Sequence, residues 1–327
     1  MREIQLTDII GAQWGHADNQ EAGTGCTVML TPQGAPCGVD VRGGGPATRE
    51  VELLKPSSTA AGIHGLLLAG GSAFGLSAAD GVMSYLKKQG VGVDVGVAKV
   101  PLVVQTNIFD LDYKESNIYP DRFMAHSACE DAELRSATHK PLPQGSIGVG
   151  TGATVGKAQG PMHAMKAGIG HYAAEVGPIQ VGALAVCNAI GDVFDIDTGT
   201  QLAGMRDDDG SFISTEQYLY DMMAGKVAPP TAHTNTTLGI LVTNVKMDKT
   251  ALTKLASMTQ NGLARTIRPV HTSFDGDAVF AVSLGNVELP ALAIDGVGSL
   301  AAYVMGKAIN NASLTVCGKA SSEITRV

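Results

Sequence analysis

The strongest candidate for chemistry in this 327-residue chain is the pair Asn235–Thr236. The pair joins a polar, proline-containing loop, GKVAPPTAHTN (225–235), to the apolar run TTLGILVTNV (236–245). If the chain is cut between the two residues, the Thr236 hydroxyl and its own α-amino group become neighbours. An α-amine has a pKa of about 8, so it can accept the hydroxyl proton at neutral pH without a histidine. The pattern therefore indicates an N-terminal threonine nucleophile, although Asn-Thr before a strand is also an ordinary turn.

Other clusters of polar or glycine residues fit known motifs less well. The eight histidines form no HExxH pattern and no i, i+4 pair, so we predict no metal site. The stretch GVGTGATVGK (148–157) lacks the first glycine and the Ser or Thr of a P-loop. The triplet Gly43–Gly45 is followed by Pro46 rather than by a helix start. We interpret these glycines as sites of close backbone packing, and we predict no metal and no organic cofactor.

The elements that must position Thr236 are short strands alternating with helices. Apolar or β-branched runs between glycine-rich turns predict strands over 24–30, 38–43, 64–71, 182–196, 236–245 and 277–285. Helical spacing predicts helices over 72–88 with Ser72 as the cap, over 248–264 from Asp248, and over 295–310. This mixture indicates an α/β or α+β protein with several strands buried on both faces.

Composition narrows the class of protein. Apolar residues make up 44% and charged residues 17% of the chain, which excludes disorder. A formal charge of -8 disfavours nucleic-acid binding. No apolar run approaches the roughly 18 residues of a membrane span, and no signal-peptide pattern is visible. Five cysteines without a CxxC pair indicate reduced thiols. We therefore expect a cytoplasmic protein with no membrane partner.

Through nearly its whole length the chain resembles the DmpA-type self-processing aminopeptidase/amidase family, which includes β-peptidyl aminopeptidases and the nylon-oligomer endohydrolase. Eight blocks carry the resemblance in order: LTDIIGAQWGHA, TGCTVML, GVDVRGGGPATRE, LLLAGGSAFGLSAADGV, GSIGVGTGATVGK, VGALAVCNA, NTTLGILVTN and GLARTIRPVHTSFDGDAVFAV. The resemblance implies a four-layer α/β/β/α sandwich like that of N-terminal-nucleophile hydrolases and ornithine acetyltransferases. It also implies one domain, 1–327, cut by itself into a large subunit (1–235) and a small subunit (236–327), with four such αβ units in a tetramer.

The resemblance also assigns roles to single residues. Thr236 matches the nucleophile that becomes the new N-terminus after cleavage behind Asn235. Lys157 matches a site lysine of the nylon-oligomer branch, and Asn188 matches the residue that offers an amide N–H to the developing oxyanion. Two further matches are acidic in the nylon-oligomer branch: Asp275 and Asp277. Residues i and i+2 of an extended segment share a face, so we expect both carboxylates to face the Thr236 amine.

The substrate side of the site departs from the family. Phe109 stands where relatives have a tyrosine near the site, so any role for a phenolic hydroxyl is absent and a substrate contact is what remains. Aminopeptidase relatives hold the substrate ammonium with a carboxylate after a strand that ends near Val104. Here that segment reads VQTNIFDLDYKES, with acids only from Asp110 onward. A neutral lining lacks this charge-assisted contact, so we expect tolerance for amides whose amine is distant or blocked.

We therefore expect a self-processing N-terminal-threonine amide hydrolase that works through an acyl-enzyme. Its expected substrates are peptide-like amides, including aminohexanoate oligomers of the nylon type. Two alternatives stay open. An acyltransferase of the ornithine-acetyltransferase type would pass the acyl group to an amine, and a non-catalytic binding protein would keep the same fold uncut.

Overall fold

The computed structural model describes residues 1–229, 235–290 and 293–317, with the side chain of Cys317 outside the described part. In this part of the chain, helices are interspersed among groups of strands. The strands are β1 (Arg2–Ile4), β2 (Gln13–Asn19), β3 (Thr24–Ala35), β4 (Cys37–Val41), β5 (Ala47–Arg49), β6 (Ile63–Ala69), β7 (Val93–Asp94), β8 (Lys99–Val100), β9 (Val103–Asn107), β10 (Thr154–Val155), β11 (Met165–Lys166), β12 (Ile169–Val176), β13 (Ile179–Asn188), β14 (Asp192–Phe194), β15 (Gln201–Ala203), β16 (Thr236–Val245), β17 (Ile267–Arg268) and β18 (Ala278–Val287). The helices are α1 (Ala79–Lys88), α2 (Arg122–Thr138), α3 (Thr215–Met223), α4 (Lys249–Thr266) and α5 (Ile294–Cys317).

Two large sheets form the centre of the molecule. The first has six strands in the order β1-β12-β13-β16-β18-β4, and the second has five in the order β2-β3-β6-β9-β5. In the first sheet β16 runs antiparallel to β13 and parallel to β18. The strand that begins at Thr236 therefore has a partner on each side, and the sheet fixes its position from both edges.

Three apolar cores separate four layers. One core joins the six-stranded sheet to α4 and α5, and a second joins the five-stranded sheet to α1 and α2. The third lies between the two sheets and holds side chains from both, such as Leu66 and Leu68 of β6 against Leu238 and Ile240 of β16. The order of layers is thus α/β/β/α, which confirms the architecture that the family resemblance implied.

The strand predictions are confirmed for most segments, and the differences have local causes. β16 spans the predicted range 236–245. The predicted strand over 182–196 is wrong as a single element, because β13 ends at Asn188 and β14 begins at Asp192 in a separate three-stranded sheet. The break lies next to Gly191, where a β-carbon would be 2.2 Å from the carbonyl oxygen of Pro269. The chain turns there through a gap that only glycine fits.

The helix predictions are correct in place and wrong in detail. Asp248 caps α4 as predicted, since its carboxylate accepts from the Ala251 N–H. The segment 72–88 is a 3₁₀ helix up to Ala78 and an α-helix only from Ala79. Ser72 is not the cap: it lies inside the 3₁₀ helix with a φ of 51°. The last helix continues to Cys317, seven residues beyond the predicted end at 310.

Two helices, α2 and α3, were not predicted from the sequence. The buried face of α2 consists of small side chains, Ala125, Ala128, Cys129 and Ala132. Such a face gives little apolar periodicity, although it lets the helix lie very close to β2. A β-carbon at Gly15 of β2 would be 2.2 Å from the carbonyl oxygen of Ala128. Within the described residues no helix is long and apolar enough to cross a bilayer.

We predict that Gly15→Ala destabilises the fold, because its methyl group would meet the backbone of α2, which cannot move aside. The expected loss in the free energy of unfolding is about 1–3 kcal/mol. Gly296→Ala is the matched control, since Gly296 is an exposed residue of α5 with nothing within 4 Å of an added β-carbon. The control should gain about 0.5–1 kcal/mol from helix propensity. Urea unfolding of both variants checks this, and equal midpoints would contradict the close packing of α2.

Candidate active site

Thr236 is the first residue of β16, and it is almost fully buried. The side chains that alternate with it along the strand, Leu238 and Ile240, lie in the core between the two sheets. Thr236 is on the same face, at the end of that core. Its hydroxyl donates a hydrogen bond to the carbonyl oxygen of the preceding residue, Asn235. The attacking group of the sequence prediction therefore contacts the peptide group that would be cut.

Asn188 lies directly opposite Thr236 in the antiparallel pairing of β13 and β16. Its side-chain oxygen accepts from Lys157 Nζ at 2.8 Å and from the Thr154 N–H at 3.0 Å. Its amide nitrogen donates to the carbonyl oxygen of Phe109 at 2.8 Å. An amide nitrogen has two hydrogens, and the described contacts use one of them. The role of Asn188 as an oxyanion donor stays a prediction that depends on the second hydrogen.

Phe109 belongs to the segment after β9, in the other sheet. Its carbonyl group crosses to Asn188, and its ring is half-buried. This contact brings the two sheets together at the site. Phe109 is therefore linked through Asn188 to the candidate nucleophile. A contact between Phe109 and substrate stays a prediction.

Lys157 is a buried lysine whose ammonium group reaches Asn188. Burial lowers its pKa to about 8, because the charged form loses its hydration. The nearby carboxylates of Asp112, Asp275 and Asp110 oppose this shift. Lys157 is therefore still mainly protonated at pH 7. Its positive charge contacts Asn188, the residue that pairs with Thr236.

Asp275 and Asp277 lie just before β18, the strand on the opposite side of β16 from Asn188. Asp275 is bridged to Asn235 in the parallel direction, and its carboxylate accepts from the Thr272 N–H and hydroxyl at 2.8 and 2.6 Å. Burial, and after it the negative charge of Asp277, raise the pKa of Asp275 to about 6. Both carboxylates are buried.

Asp277 contacts the second residue of β16 rather than the first. One carboxylate oxygen accepts from the Thr237 N–H at 2.6 Å. The other accepts from the N–H of His271 at 3.0 Å and contacts its Nδ1 at 2.8 Å. Since a carboxylate only accepts, His271 Nδ1 carries the hydrogen in this contact. His271 was not predictable from the sequence, because nothing in the spacing of HTSFDGD shows that the backbone turns back on itself.

Glycines bring the backbone close to the nucleophile. A β-carbon at Gly276 would lie 2.9 Å from Thr236 Oγ1 and 3.0 Å from the carbonyl oxygen of Gly45. A β-carbon at Gly43 would lie 2.3 Å from the backbone of Asp275. The triplet Gly43–Gly45 therefore wraps around the turn that carries the two acids, which confirms its interpretation as a close-packing segment.

A further buried carboxylate, Asp110, lies after β9 of the other sheet. It accepts from the Gly71 N–H at 2.6 Å and from the Thr24 hydroxyl at 2.7 Å, and burial raises its pKa to about 6. Lys166, another residue missed from the sequence, donates to three carbonyl oxygens, those of Gly150, Ala153 and Ala167. Burial lowers the pKa of Lys166 to about 7. Through Gly150 and Ala153, Lys166 holds the segment that leads to Lys157.

Sequence comparison places this arrangement in a family. The model of Peptidase family S58 matches residues 5–326. An uncharacterized aminopeptidase of Mycobacterium leprae (strain TN) is 39% identical over 305 residues, which cover 88% of this chain and 80% of the relative. A 6-aminohexanoate-oligomer endohydrolase of Agromyces sp. (strain KY5R) is 31% identical over 290 residues, which cover 88% of this chain and 77% of the relative.

Solved structures share the fold. A β-aminopeptidase of Burkholderia sp. superposes with a TM-score of 0.66 at 19% identity, over 95% of this chain and 86% of the other. An L-aminopeptidase D-Ala-esterase/amidase from Ochrobactrum anthropi, described as a variant of the Ntn hydrolase fold, gives a TM-score of 0.69 at 16% identity with the same coverage. With the family model spanning nearly the whole sequence, the chain belongs to Peptidase family S58, the DmpA family, and is an amide-bond hydrolase.

Proposed function

We propose that this protein cuts itself between Asn235 and Thr236 and then works as an N-terminal-threonine aminopeptidase or amidase. One observation carries the proposal: the Thr236 hydroxyl, buried at the start of a central strand, contacts the carbonyl group of Asn235. If the Thr236 hydroxyl only capped a turn, the fold would gain nothing from burying Lys157, Asn188 and two carboxylates near the same peptide. The family membership supports the same chemistry.

Self-cleavage begins when Thr236 Oγ1 attacks the carbonyl carbon of Asn235. The Oγ1–C bond forms, the C–N bond breaks, and the hydroxyl proton ends on the Thr236 nitrogen. Water then hydrolyses the resulting ester, which gives a carboxylate at Asn235 and a free hydroxyl and amine at Thr236. The products are a large subunit, 1–235, and a small subunit, 236–327.

Turnover repeats this chemistry on a substrate amide. The new α-amine of Thr236 accepts the hydroxyl proton while Oγ1 attacks the substrate carbonyl, and the proton then passes to the leaving amine. Asn188 donates to the oxyanion, an interaction of about 3 kcal/mol in the transition state. Lys157 holds Asn188 and supplies positive charge, and Asp275 orients the amine. Water finally hydrolyses the acyl ester.

The proposed substrates are peptide-like amides, including linear 6-aminohexanoate oligomers. One relative is named for such oligomers and another is named an aminopeptidase. Asp110 is bonded to Gly71 and Thr24, which supports a site that makes no strong demand on a free substrate amine. The side chains of Gln105 and Asn107 are likewise engaged with the segment 72–79. A tetramer of αβ units remains a proposal that the family resemblance supports.

We predict that the purified protein consists of fragments 1–235 and 236–327, and that Thr236→Val remains a single uncut and inactive chain. Valine keeps the shape of threonine and removes only the attacking hydroxyl. Thr237→Val is the matched control, because it removes the neighbouring hydroxyl and leaves the N–H bond to Asp277 intact. Intact mass and N-terminal sequencing of the small fragment, expected to begin Thr-Thr-Leu-Gly, decide the result. Full activity in an uncut wild-type chain would contradict the mechanism.

We predict that Asp275→Asn separates turnover from stability. Loss of the carboxylate proposed to orient the amine should lower kcat about 100-fold. The raised pKa of Asp275 means that the wild type loses stability as pH rises from 3.8 to about 6, whereas the asparagine variant does not. The free energy of unfolding of the variant should therefore increase relative to that of the wild type across this pH range.

Thermal midpoints at pH 4 and pH 7, with kcat at pH 7, measure both effects. Asp192→Asn is the control, since burial also raises the pKa of Asp192, which binds Met205 and Thr215 and not the nucleophile. The control should keep its kcat. A variant of Asp275 that fails to fold at every pH would show that this carboxylate has only a structural role.

We predict that acetylation of an aminoacyl anilide reduces kcat/KM less than tenfold, because no free carboxylate is needed to bind the amine. A linear 6-aminohexanoate oligomer should also be cut. The same assay with an added amine acceptor tests the alternative of an acyltransferase, for which acyl-amine rather than free acid would accumulate. Strict dependence on the free amine together with an uncut oligomer would point to an ordinary aminopeptidase.

A further inference from the structure

The peptide to be cut is held by backbone hydrogen bonds from the neighbouring strand segment. The Asn235 N–H donates to the carbonyl oxygen of Phe274 at 2.9 Å, and the Asn235 carbonyl oxygen accepts from the Gly276 N–H at 2.7 Å. The pairing of Asn235 with Asp275 continues the register of Leu238 with Ala278 in β16 and β18. The carbonyl group of Asn235 is therefore fixed by the sheet itself.

Two groups meet at this carbonyl oxygen. The Thr236 hydroxyl donates to it, and the Gly276 N–H donates to it from the adjacent segment. Attack by Thr236 Oγ1 moves a full negative charge onto the same oxygen. A donor that is already in place needs no reorganisation when that charge develops, and its hydrogen bond strengthens as the charge grows.

We infer that the backbone N–H of Gly276 stabilises the oxyanion that forms on Asn235 during self-cleavage. This inference rests on the proposed self-processing and adds the group that lowers its barrier. In the cleavage step Oγ1 bonds to the Asn235 carbon, the carbonyl electron pair moves to the oxygen facing Gly276, and collapse of this intermediate expels the Thr236 nitrogen with the hydroxyl proton.

Asn188 is less suited to this first reaction in the uncut chain. Its oxygen is used by Lys157 and Thr154, and one amide hydrogen is used by Phe109. The Gly276 N–H, in contrast, is bonded to the reacting oxygen itself. The absence of a side chain at Gly276 also fits this role, because a β-carbon there would crowd Thr236 Oγ1 at 2.9 Å.

Replacement of Gly276 by glycolic acid tests the inference, since the resulting backbone ester lacks the N–H and adds no side chain. The same replacement at Gly239 is the matched control. Gly239 lies inside β16 opposite Ala185 and Val279, so its ester weakens the same sheet away from the cut. Both chains are made by cell-free translation, and the appearance of fragment 236–327 is timed by mass spectrometry.

We expect the Gly276 ester to cleave about 10²–10³-fold more slowly than the Gly239 ester, which should cleave nearly as fast as the wild type. Equal rates for the two esters would overturn the inference. A wild-type chain that never cleaves would instead overturn the proposed self-processing.

Hydrogen exchange provides a second measurement that does not depend on folding of the ester. In the uncut Thr236→Val chain, the Gly276 amide hydrogen should exchange as slowly as that of Asn235, because both belong to the same bridge. Fast exchange at Gly276 alone would mean that its N–H is free of the carbonyl and would also overturn the inference.

Discussion

The hydrogen bond between the Gly276 N–H and the Asn235 carbonyl is the contact on which the rest of the site depends. It fixes the peptide before Thr236 in the register of the central sheet, so that the hydroxyl and the carbonyl cannot drift apart. From that peptide, β13 places Asn188 on one side, and the segment that leads into β18 places Asp275 and Asp277 on the other. The fold therefore positions the chemistry by sheet pairing rather than by a mobile loop.

Burial of charged groups around this peptide reduces the free energy of unfolding. The same burial brings the pKa values of these groups closer to neutral pH. Desolvation moves the pKa of Lys157 down to about 8 and the pKa of Asp275 up to about 6. Both values approach neutral pH, where proton transfer is most effective. Lys166 and its three carbonyl partners, together with Asp110, stabilise the surrounding loops. Such an arrangement fits a catalytic role better than a purely structural one, because apolar residues would pack there at less cost.

Local sequence patterns made several strands and helices predictable. β16 alternates apolar side chains over ten residues after a proline-containing loop, so both the strand and its first residue were identifiable. The helix α4 followed from Asp248 and its apolar spacing. The helix α2 did not, because its buried face is made of alanine and cysteine, which give no periodic signal.

Contacts that depend on backbone turns were beyond the sequence analysis. His271 meets Asp277 only because the chain reverses after β17, with a φ of 58° at His271. The contact of the Gly276 N–H with Asn235 depends on the register between β16 and β18, which neither sequence segment specifies alone. Asp277 is another example: the sequence predicts that it faces the Thr236 amine, and in the structure its buried carboxylate accepts from the N–H of the next residue, Thr237.

The central claim is that the acyl group of Asn235 moves from nitrogen to the Thr236 hydroxyl before water releases it. Hydroxylamine tests this most directly, because it attacks an ester far faster than an amide. Freshly synthesised chain treated with hydroxylamine should be cut faster, and fragment 1–235 should end in a hydroxamate at Asn235, detectable by its mass. Cleavage at the ordinary rate, with only a carboxylate at Asn235, would contradict transfer through the Thr236 ester.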